Sequence, residues 1–191
     1  MPAAKANRVR IIGGQFRGRS IRFPDGDGLR PTPDRVRETL FNWLGQDLTG
    51  QKTLDLYAGS GALTLEALSR GAVLAVAVDR NPALVQAIAD TAKALGAAGL
   101  TTHANDARRH LAREAGLFDV IFLDPPFTSD EWDWLLPACA ARVAAGGFVY
   151  AEAGRELEAA GGLAPWRHAK AGAVHYHLFN HADGAATSPH P

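Results

Sequence analysis

Short apolar runs alternate with helical segments through most of the chain, and this alternation constrains the fold more than any other feature. From Lys52 onward, five apolar runs predict strands, and the four segments between them have helical periodicity. The predicted strands are residues 53–57, 73–79, 100–104, 118–124 and 148–152, and the predicted helices are 61–70, 82–95, 107–114 and 131–144. Two final strands are predicted at 168–170 and 174–180. Continuous apolar strands separated by helices are typical of a parallel sheet covered on both faces, so we predict an α/β protein with a Rossmann-like, doubly wound sheet.

The segment before this alternation has a different character. Residues 8–24 predict a β-hairpin with a glycine-rich, cationic tip at 13–19. A helix follows, for which Thr32 is the predicted cap, Pro33 the first residue and Gly45 the end. We therefore divide the chain into an N-terminal extension at 1–46, a main domain at 47–181 and a flexible tail at 182–191.

Charge is distributed unevenly between these parts. The net charge is zero, with 20 basic and 20 acidic residues. Residues 1–37 carry +6, from nine basic and three acidic side chains, and the remainder carries −6. The basic residues of this segment are Lys5, Arg8, Arg10, Arg17, Arg19, Arg22, Arg30, Arg35 and Arg37. Such a split indicates either a solvated basic face or a surface that binds an anionic polymer.

Composition excludes several classes of protein. The sequence has no apolar run of about 18 residues, which a membrane span needs, and its first residues lack the apolar segment of a signal peptide. Its single cysteine, Cys139, permits no intrachain disulfide, and its place in a predicted helix favours a core role over a nucleophilic one. These features predict a cytoplasmic protein, and we expect a monomer.

A glycine loop joins the first strand of the main domain to its first helix. It contains Gly59 and Gly61, but Thr64 stands where a dinucleotide-binding fingerprint has a third glycine. Asp55 enters this loop, and Asp79 and Asp106 follow the next two strands. We expect Asp55 to face an ammonium group, Asp79 ribose hydroxyls and Asp106 an adenine amino group. Three carboxylates suit a cationic ligand better than a pyrophosphate, so S-adenosylmethionine (AdoMet) is favoured over NAD.

The tetrad Asp124-Pro125-Pro126-Phe127 follows the fourth strand. The two prolines fix φ, remove two N–H donors and hold the preceding backbone extended. Such rigid oxygen acceptors can hold the exocyclic amino group of a base, and Phe127 can stack on the base, which must leave its helical stack. The amine then attacks the AdoMet methyl group, and Asp124 is a candidate acceptor of its proton.

Further sequence blocks stand beside these motifs: 10–14 (RIIGG), 17–19 (RGR), 28–32 (GLRPT), 34–44 (DRVRETLFNWL), 55–72 and 122–127 (FLDPPF). Together they resemble the RsmD family of bacterial 16S rRNA guanine-N2 methyltransferases, over roughly residues 8–180. The resemblance implies a seven-stranded sheet whose last strand is antiparallel, AdoMet as cofactor, and methylation of one guanine on the small ribosomal subunit. It also implies that Arg30, Thr32 and Arg35 lie near the cofactor or the base.

The resulting site assignment has three groups. The catalytic residues are Asp124, Pro125, Pro126 and Phe127. The cofactor-binding residues are Asp55, Tyr57, Ala58, Gly59, Ser60, Gly61, Asp79, Arg80, Asp106 and Ala107. The RNA-binding residues are Arg8, Arg10, Arg17, Arg19, Arg22, Arg30, Thr32 and Arg35.

Other functions remain open at this point. One alternative is an amino methyltransferase that acts on adenine N6 of DNA or another RNA, and a second is a non-catalytic RNA-binding assembly factor. His175 and His177 share a predicted strand face, but no pattern of carboxylates or cysteines completes a metal site, and we predict none. Arg108, Arg109 and Arg113 are expected to form a solvated helix face.

Overall fold

A seven-stranded sheet forms the centre of the molecule, as a computed structural model shows for residues 7–24, 32–126 and 131–182. The strands are β1 Asn7–Arg10, β2 Ser20–Phe23, β3 Lys52–Asp55, β4 Leu74–Asp79, β5 Leu100–Ala104, β6 Phe118–Leu123, β7 Val143–Ala153, β8 Leu163–Ala171 and β9 Val174–His181. The helices are α1 Asp34–Trp43, α2 Ala62–Ser69, α3 Pro82–Leu95, α4 Ala107–Arg113 and α5 Trp132–Ala140.

The strand order of this sheet is β5-β4-β3-β6-β7-β9-β8, which confirms the predicted doubly wound architecture. The five strands β3 to β7 are parallel, and β9 runs antiparallel between β7 and β8. The chain moves outward from β3 on one side and from β6 on the other. The order therefore reverses between β3 and β6, where ligands of open α/β sheets bind beyond the carboxyl ends of the strands.

Helices cover both faces of the sheet. On one face, α4 and α5 bury Leu111, Leu135 and Leu136 against Leu54 and Ile121 of the central strands. On the other face, α1 and α2 pack on β6, β7 and β9, and α3 packs with β2. No helix within the described ranges is both long enough and apolar enough to cross a membrane.

The N-terminal hairpin is amphipathic, and its inner face is part of the core. Strands β1 and β2 pair antiparallel, and Ile11, Ile21 and Phe23 are buried together with Leu84 and Ile88 of α3. Its opposite face is exposed and carries the arginines of both strands. The predicted hairpin is confirmed, and its inner face ties it to the main sheet.

The buried carboxylate of Glu66 in α2 holds the N-terminal segment in place. It accepts hydrogen bonds from the backbone N–H groups of Ile12 (3.0 Å) and Gly13 (2.7 Å). It also accepts from the guanidinium groups of Arg37 (3.2 Å) and Arg70 (3.0 Å). Glu66 and Arg37 are fully buried, so one carboxylate joins the hairpin, α1 and α2.

Two sequence predictions about elements were wrong in detail. Thr32 makes no cap hydrogen bond to α1, whose N-cap residue is Pro33, because the Thr32 hydroxyl bonds a distant carboxylate instead. The helix predicted to reach residue 144 ends at Ala140, because the buried Val143 pairs with Phe118 and already belongs to β7.

Candidate active site

Acidic side chains from four strand ends gather at the carboxyl edge of the parallel sheet. Asp55 ends β3, Asp79 ends β4, and Asp124 directly follows β6. Asp106 lies two residues beyond β5 and caps α4. The edge thus brings together the aspartates that the sequence singled out, on both sides of the point where the strand order reverses.

The glycine loop makes a sharp turn from β3 into α2. Gly59 and Gly61 have φ values of 51° and 76°, a region that glycine adopts without steric cost. A Cβ atom on Gly61 would lie 2.6 Å from Cγ1 of Ile88, so the packing of α3 also requires glycine there. The backbone N–H of Ala58 donates to the carbonyl of Val78 in β4 at 3.0 Å, and the Ser60 hydroxyl accepts from the N–H of Ala62 at 3.3 Å.

Asp55 is buried beneath this loop. Its carboxylate accepts a 2.7 Å hydrogen bond from the Thr64 hydroxyl, so Thr64, which replaces the third glycine of a dinucleotide fingerprint, has a structural role. Burial, opposed by the Thr64 hydrogen bond and assisted by the nearby charge of Asp79, raises the pKa of Asp55 to about 7. The group therefore titrates near neutral pH and can respond to a cation.

Asp79 and Asp106 make different contacts at the same edge. Asp79 accepts from the backbone N–H of Gly59 and of Asn81, both at 2.8 Å, and thereby fixes the glycine loop. Asp106 forms an ion pair with the exposed Arg80 and accepts from the N–H of Arg109 at 3.1 Å. Arg80 and Asp106 thus neutralise each other, whereas the carboxylate of Asp79 is bound by neutral donors. An adenine contact for Asp106 stays a prediction.

Asp124 begins the Asp-Pro-Pro-Phe tetrad, beside the glycine loop. It is half-buried, and Pro125 behind it is buried. Burial raises the pKa of Asp124 well above its usual value, and the neighbouring carboxyls of Glu152 and Asp55 raise it further. The predicted stacking residue, Phe127, lies outside the described residues. The part of the tetrad that is described therefore presents a carboxyl group whose ionisation is disfavoured until a partner arrives.

Glu152 was not predicted as a site residue, yet the structure places it next to Asp124. Its Oε1 atom accepts hydrogen bonds from the hydroxyls of Thr32 (2.7 Å) and Tyr150 (2.9 Å). Burial raises the pKa of Glu152, and the two hydroxyl donors oppose that effect. A sequence signal for it was present: Glu152 ends the predicted strand 148–152, as Asp79 and Asp124 end theirs.

Tyr57 connects the glycine loop to α5. Its hydroxyl donates to the carboxylate of Glu131, which precedes that helix. Burial raises the pKa of Tyr57, and the Glu131 carboxylate raises it further. Tyr57 therefore remains a neutral donor and links the glycine loop to the segment that follows the tetrad.

The predicted RNA-binding residues divide into three sets. Those of the hairpin are exposed, namely Arg8, Arg10, Arg17, Arg19 and Arg22. Arg35 is exposed on α1, whereas Arg30 lies outside the described residues. Thr32 is buried and bonded to Glu152, so it lies inside the protein beside that carboxyl group and not on the exposed surface. Arg37, counted in the basic segment, is buried and paired with Glu66 and Asp34.

Three groups lie apart from this edge. Cys139 is fully buried in α5, as predicted, and burial raises the pKa of its thiol. The exposed side chains of Arg108, Arg109 and Arg113 lie on α4, and Arg108 stacks over Trp134. Potential ligand atoms of Glu156, which lies between β7 and β8, of His168 on β8 and of His175 on β9 lie within 4.8 Å of one another.

Comparison with known proteins identifies the family. A family model described as Conserved hypothetical protein 95 matches residues 9–180. The chain is 45% identical over 122 residues to the Ribosomal RNA small subunit methyltransferase D of Escherichia coli K12. It is 41% identical over 160 residues to YlbH of Bacillus subtilis, a protein described as a candidate rRNA methyltransferase; these residues are 78% of this chain and 85% of YlbH. The chain belongs to the RsmD family.

A solved structure agrees with this membership in the RsmD family. The structure of YhhF from Escherichia coli, described as a candidate methyltransferase, superposes with a TM-score of 0.83 at 36% identity. It covers 92% of this chain and 98% of that one. The sequence match to the Escherichia coli methyltransferase D spans 64% of this chain and 62% of that relative. The fold is that of the class I methyltransferases.

Proposed function

We propose that this RsmD-family protein transfers a methyl group from AdoMet to the exocyclic N2 amino group of a guanine in 16S rRNA of the small ribosomal subunit. The observation that carries this proposal is the placement of Asp124 and its two prolines beside the glycine loop, at the point where the strand order reverses. The names of the relatives, which describe small-subunit rRNA methyltransferases, support the substrate class.

The residues at the strand ends fit AdoMet. Gly59 and Gly61 leave the loop backbone open to a ligand, and Asp79 holds that loop while it keeps further lone pairs for ribose hydroxyls. The buried Asp55 suits an ammonium group, because a cation would stabilise its charged form. The pair of Arg80 and Asp106 flanks the same edge. AdoMet supplies an activated methyl group, whose bond to sulfur breaks as an amine nitrogen forms the new bond.

The chemistry left to the protein is to orient the amine and to receive its proton. Asp124 accepts from one N–H of the amino group, and the carbonyl oxygen of a proline peptide in the tetrad accepts from the other. This arrangement draws the nitrogen lone pair out of conjugation with the ring and toward the methyl group. After the transfer, the methylated nitrogen carries a positive charge and an extra proton. Asp124, in its carboxylate form, is placed to accept that proton, and its raised pKa makes this carboxylate a stronger base.

The exposed face of the hairpin supports binding of an RNA backbone. In the β1–β2 register Arg8 lies directly opposite Arg22, and both side chains are exposed. Like charges opposite one another destabilise a strand pair, so such a face is best satisfied by an anionic partner. Arg17 and Arg19 extend the same positive charge to the hairpin tip. Residues 1–46 thus serve as an RNA-binding extension, although their inner face packs on the main domain.

A methyl-transfer assay with labelled AdoMet tests the proposal. Its substrates are undermethylated small subunits, protein-free 16S rRNA and double-stranded DNA. The proposal expects label in the 16S rRNA of at least one ribosomal substrate and none in DNA. Transfer to DNA alone would instead establish the adenine N6 alternative. RNA binding without any AdoMet binding would establish a non-catalytic assembly factor.

A further inference from the structure

Asp124 and Glu152 form a pair of neighbouring carboxyl groups. In the parallel ladder between β6 and β7, Leu123 pairs with Ala151. The residues that directly follow this pair, Asp124 and Glu152, are therefore adjacent, at the roughly 4.8 Å spacing of paired strands. Successive side chains alternate between faces, so both point to the face that holds Phe122 and Tyr150.

The orientation of the Glu152 carboxyl is fixed by its partners. Both hydrogen bonds that the described residues make to Glu152, from Thr32 and Tyr150, end on the same atom, Oε1. Glu152 is 4% exposed, so it cannot turn to bulk water. Its other oxygen, Oε2, is a hydrogen-bond acceptor whose carboxyl group is held in place by these two bonds. The neighbouring carboxyl group is that of Asp124, the residue proposed to act in the reaction.

Two adjacent carboxyl groups match the edge of guanine that carries N1–H and the 2-amino group. Guanine presents the ring N1–H and the exocyclic N2–H groups side by side, so two neighbouring acceptors match two neighbouring donors. Adenine places its amino group beside the bare lone pair of N1, which would face a carboxyl oxygen without a donor between them. A site built to bond an N–H group strongly rejects an analogue that lacks it, because the buried acceptor is left unpaired.

We infer that Glu152 is a specificity-determining residue, which accepts from the N1–H group of the target guanine while Asp124 holds the amino group that is methylated. This inference rests on the proposed function and names the part of the base that the site reads. Thr32 and Tyr150 are then positioning residues, because they hold Glu152 with its second oxygen toward the base. The inference gives a specific task to the buried Thr32, which the resemblance to the RsmD family places near the cofactor or the base.

Glu152→Gln tests the inference, because glutamine has nearly the same side-chain shape as glutamate. The amide oxygen can still accept from Thr32 and Tyr150, but an N–H donor now replaces Oε2 and opposes the N1–H of guanine. The substrates are small subunits with guanine at the mapped methylation position and subunits with adenine substituted there. We expect kcat/KM for guanine to fall by about 10- to 100-fold, and the preference for guanine over adenine to shrink by at least as much.

Controls separate this role from a structural one. Glu158→Gln changes an exposed position six residues further along the chain. This variant should retain the wild-type kcat/KM for guanine and the wild-type preference for guanine over adenine. The melting temperature and AdoMet affinity of Glu152→Gln should stay close to wild type. If the variant does not fold, the wild-type protein supplies the test. Reconstituted subunits with 2,6-diaminopurine at the target position keep the 2-amino group but lack the N1–H, and should react at least about 100-fold more slowly than guanine.

The outcomes distinguish this inference from the function on which it rests. Wild-type methylation of guanine combined with an unchanged guanine-to-adenine ratio in Glu152→Gln overturns the inference alone. Equal wild-type rates on guanine and 2,6-diaminopurine also overturn it. If the wild-type protein methylates no guanine in subunits, the proposed function itself fails.

Discussion

At the scale of single residues, one side-chain type performs different tasks because the surroundings differ. Asp79 accepts from two backbone N–H groups and organises a loop. Asp55 is buried with one hydroxyl donor, and Asp124 is half-buried among other carboxyls. Burial disfavours the ionisation of Asp55 and of Asp124. We therefore propose cation binding for Asp55 and proton acceptance for Asp124, whereas Asp79 positions the loop.

Substitution of Asp124 tests the chemical step. We expect Asp124→Ala to lower the methyl-transfer rate at least about 100-fold, because general acid–base catalysis typically contributes 10²- to 10⁴-fold and this residue also orients the amine. AdoMet affinity, measured by calorimetry, should change only a few-fold. Asp133→Ala, an exposed position on α5, is the matched control. Activity of Asp124→Ala close to that of the control would remove Asp124 from the mechanism.

The raised pKa of Asp55 predicts a pH dependence of stability. Its carboxyl titrates near pH 7 in the folded protein and at 3.8 in its unperturbed state. Between about pH 4 and 7 the folded state thus binds more protons than the unfolded state. The free energy of unfolding then falls as the pH rises through this window, and the loss is complete above about pH 7.

Asp55→Asn should remove this contribution while it keeps an acceptor for Thr64. Urea denaturation at pH 5 and pH 7.5 should give a smaller pH-dependent loss of stability in the variant, by up to about 2.5 kcal/mol. Asp90→Asn, on the exposed face of α3, should behave as wild type. Identical pH profiles for Asp55→Asn and wild type would contradict the assignment of the raised pKa.

For single residues, the sequence predicted where the acidic side chains lie better than it predicted which groups they contact. The acidic strand ends were predictable, because hydrophobic runs locate strands and parallel strands end at one edge. The Thr32–Glu152 bond joins residues 120 positions apart, and no local pattern encodes it. Local capping preference favoured Thr32 as a helix cap, and a tertiary contact overrode it.

At the scale of elements, the N-terminal segment depends on one buried ionic cluster. Glu66 binds the hairpin backbone at Ile12 and Gly13 and pairs with Arg37 and Arg70. The sequence predicted the hairpin and α1 as elements but not how they dock, because a glutamate within a helix usually faces solvent. Similarly, the end of α5 was misplaced because the apolar run through Val143 suits a helix or a strand.

Glu66→Gln should therefore destabilise the protein strongly. The substitution leaves the fully buried Arg37 without its full counter-charge, and loss of one partner of a buried ion pair typically costs about 3–5 kcal/mol. Chemical denaturation measures this loss. Glu38→Gln, an exposed position on α1, should change stability by less than about 0.5 kcal/mol. A loss in Glu66→Gln no larger than in this control would show that other contacts hold the hairpin.

At the scale of the whole molecule, the zero net charge is the sum of two parts of the chain with opposite net charge. The structure refines the +6 estimate for residues 1–37, because Arg37 is buried and Arg10 pairs with Asp34 at 3.3 Å. Among the described residues of this segment, the exposed basic side chains are therefore those of the hairpin and Arg35 on α1. Deletion of the hairpin would also remove buried Ile11, Ile21 and Phe23, so point substitutions test this surface more cleanly.

The double variant Arg17→Gln/Arg19→Gln should weaken RNA binding without loss of fold. Each lost phosphate contact reduces the slope of log K against log salt by about 0.7 to 0.9, so two contacts predict a reduction of about 1.4 to 1.8. Filter binding of 16S rRNA at several salt concentrations measures the slope. Arg109→Gln/Arg113→Gln on α4 removes the same charge from a different surface and should leave the slope unchanged. Equal slopes for both double variants would contradict an RNA-binding role for the hairpin.

The most direct test of the central claim identifies the modified nucleoside. Small subunits from cells that lack this protein are incubated with the purified chain and AdoMet, and the digested 16S rRNA is analysed by mass spectrometry. The account predicts that N2-methylguanosine appears at one position with wild-type protein and not with Asp124→Ala. A methyl group on adenine, or no new methyl group with a protein that binds AdoMet, would contradict it.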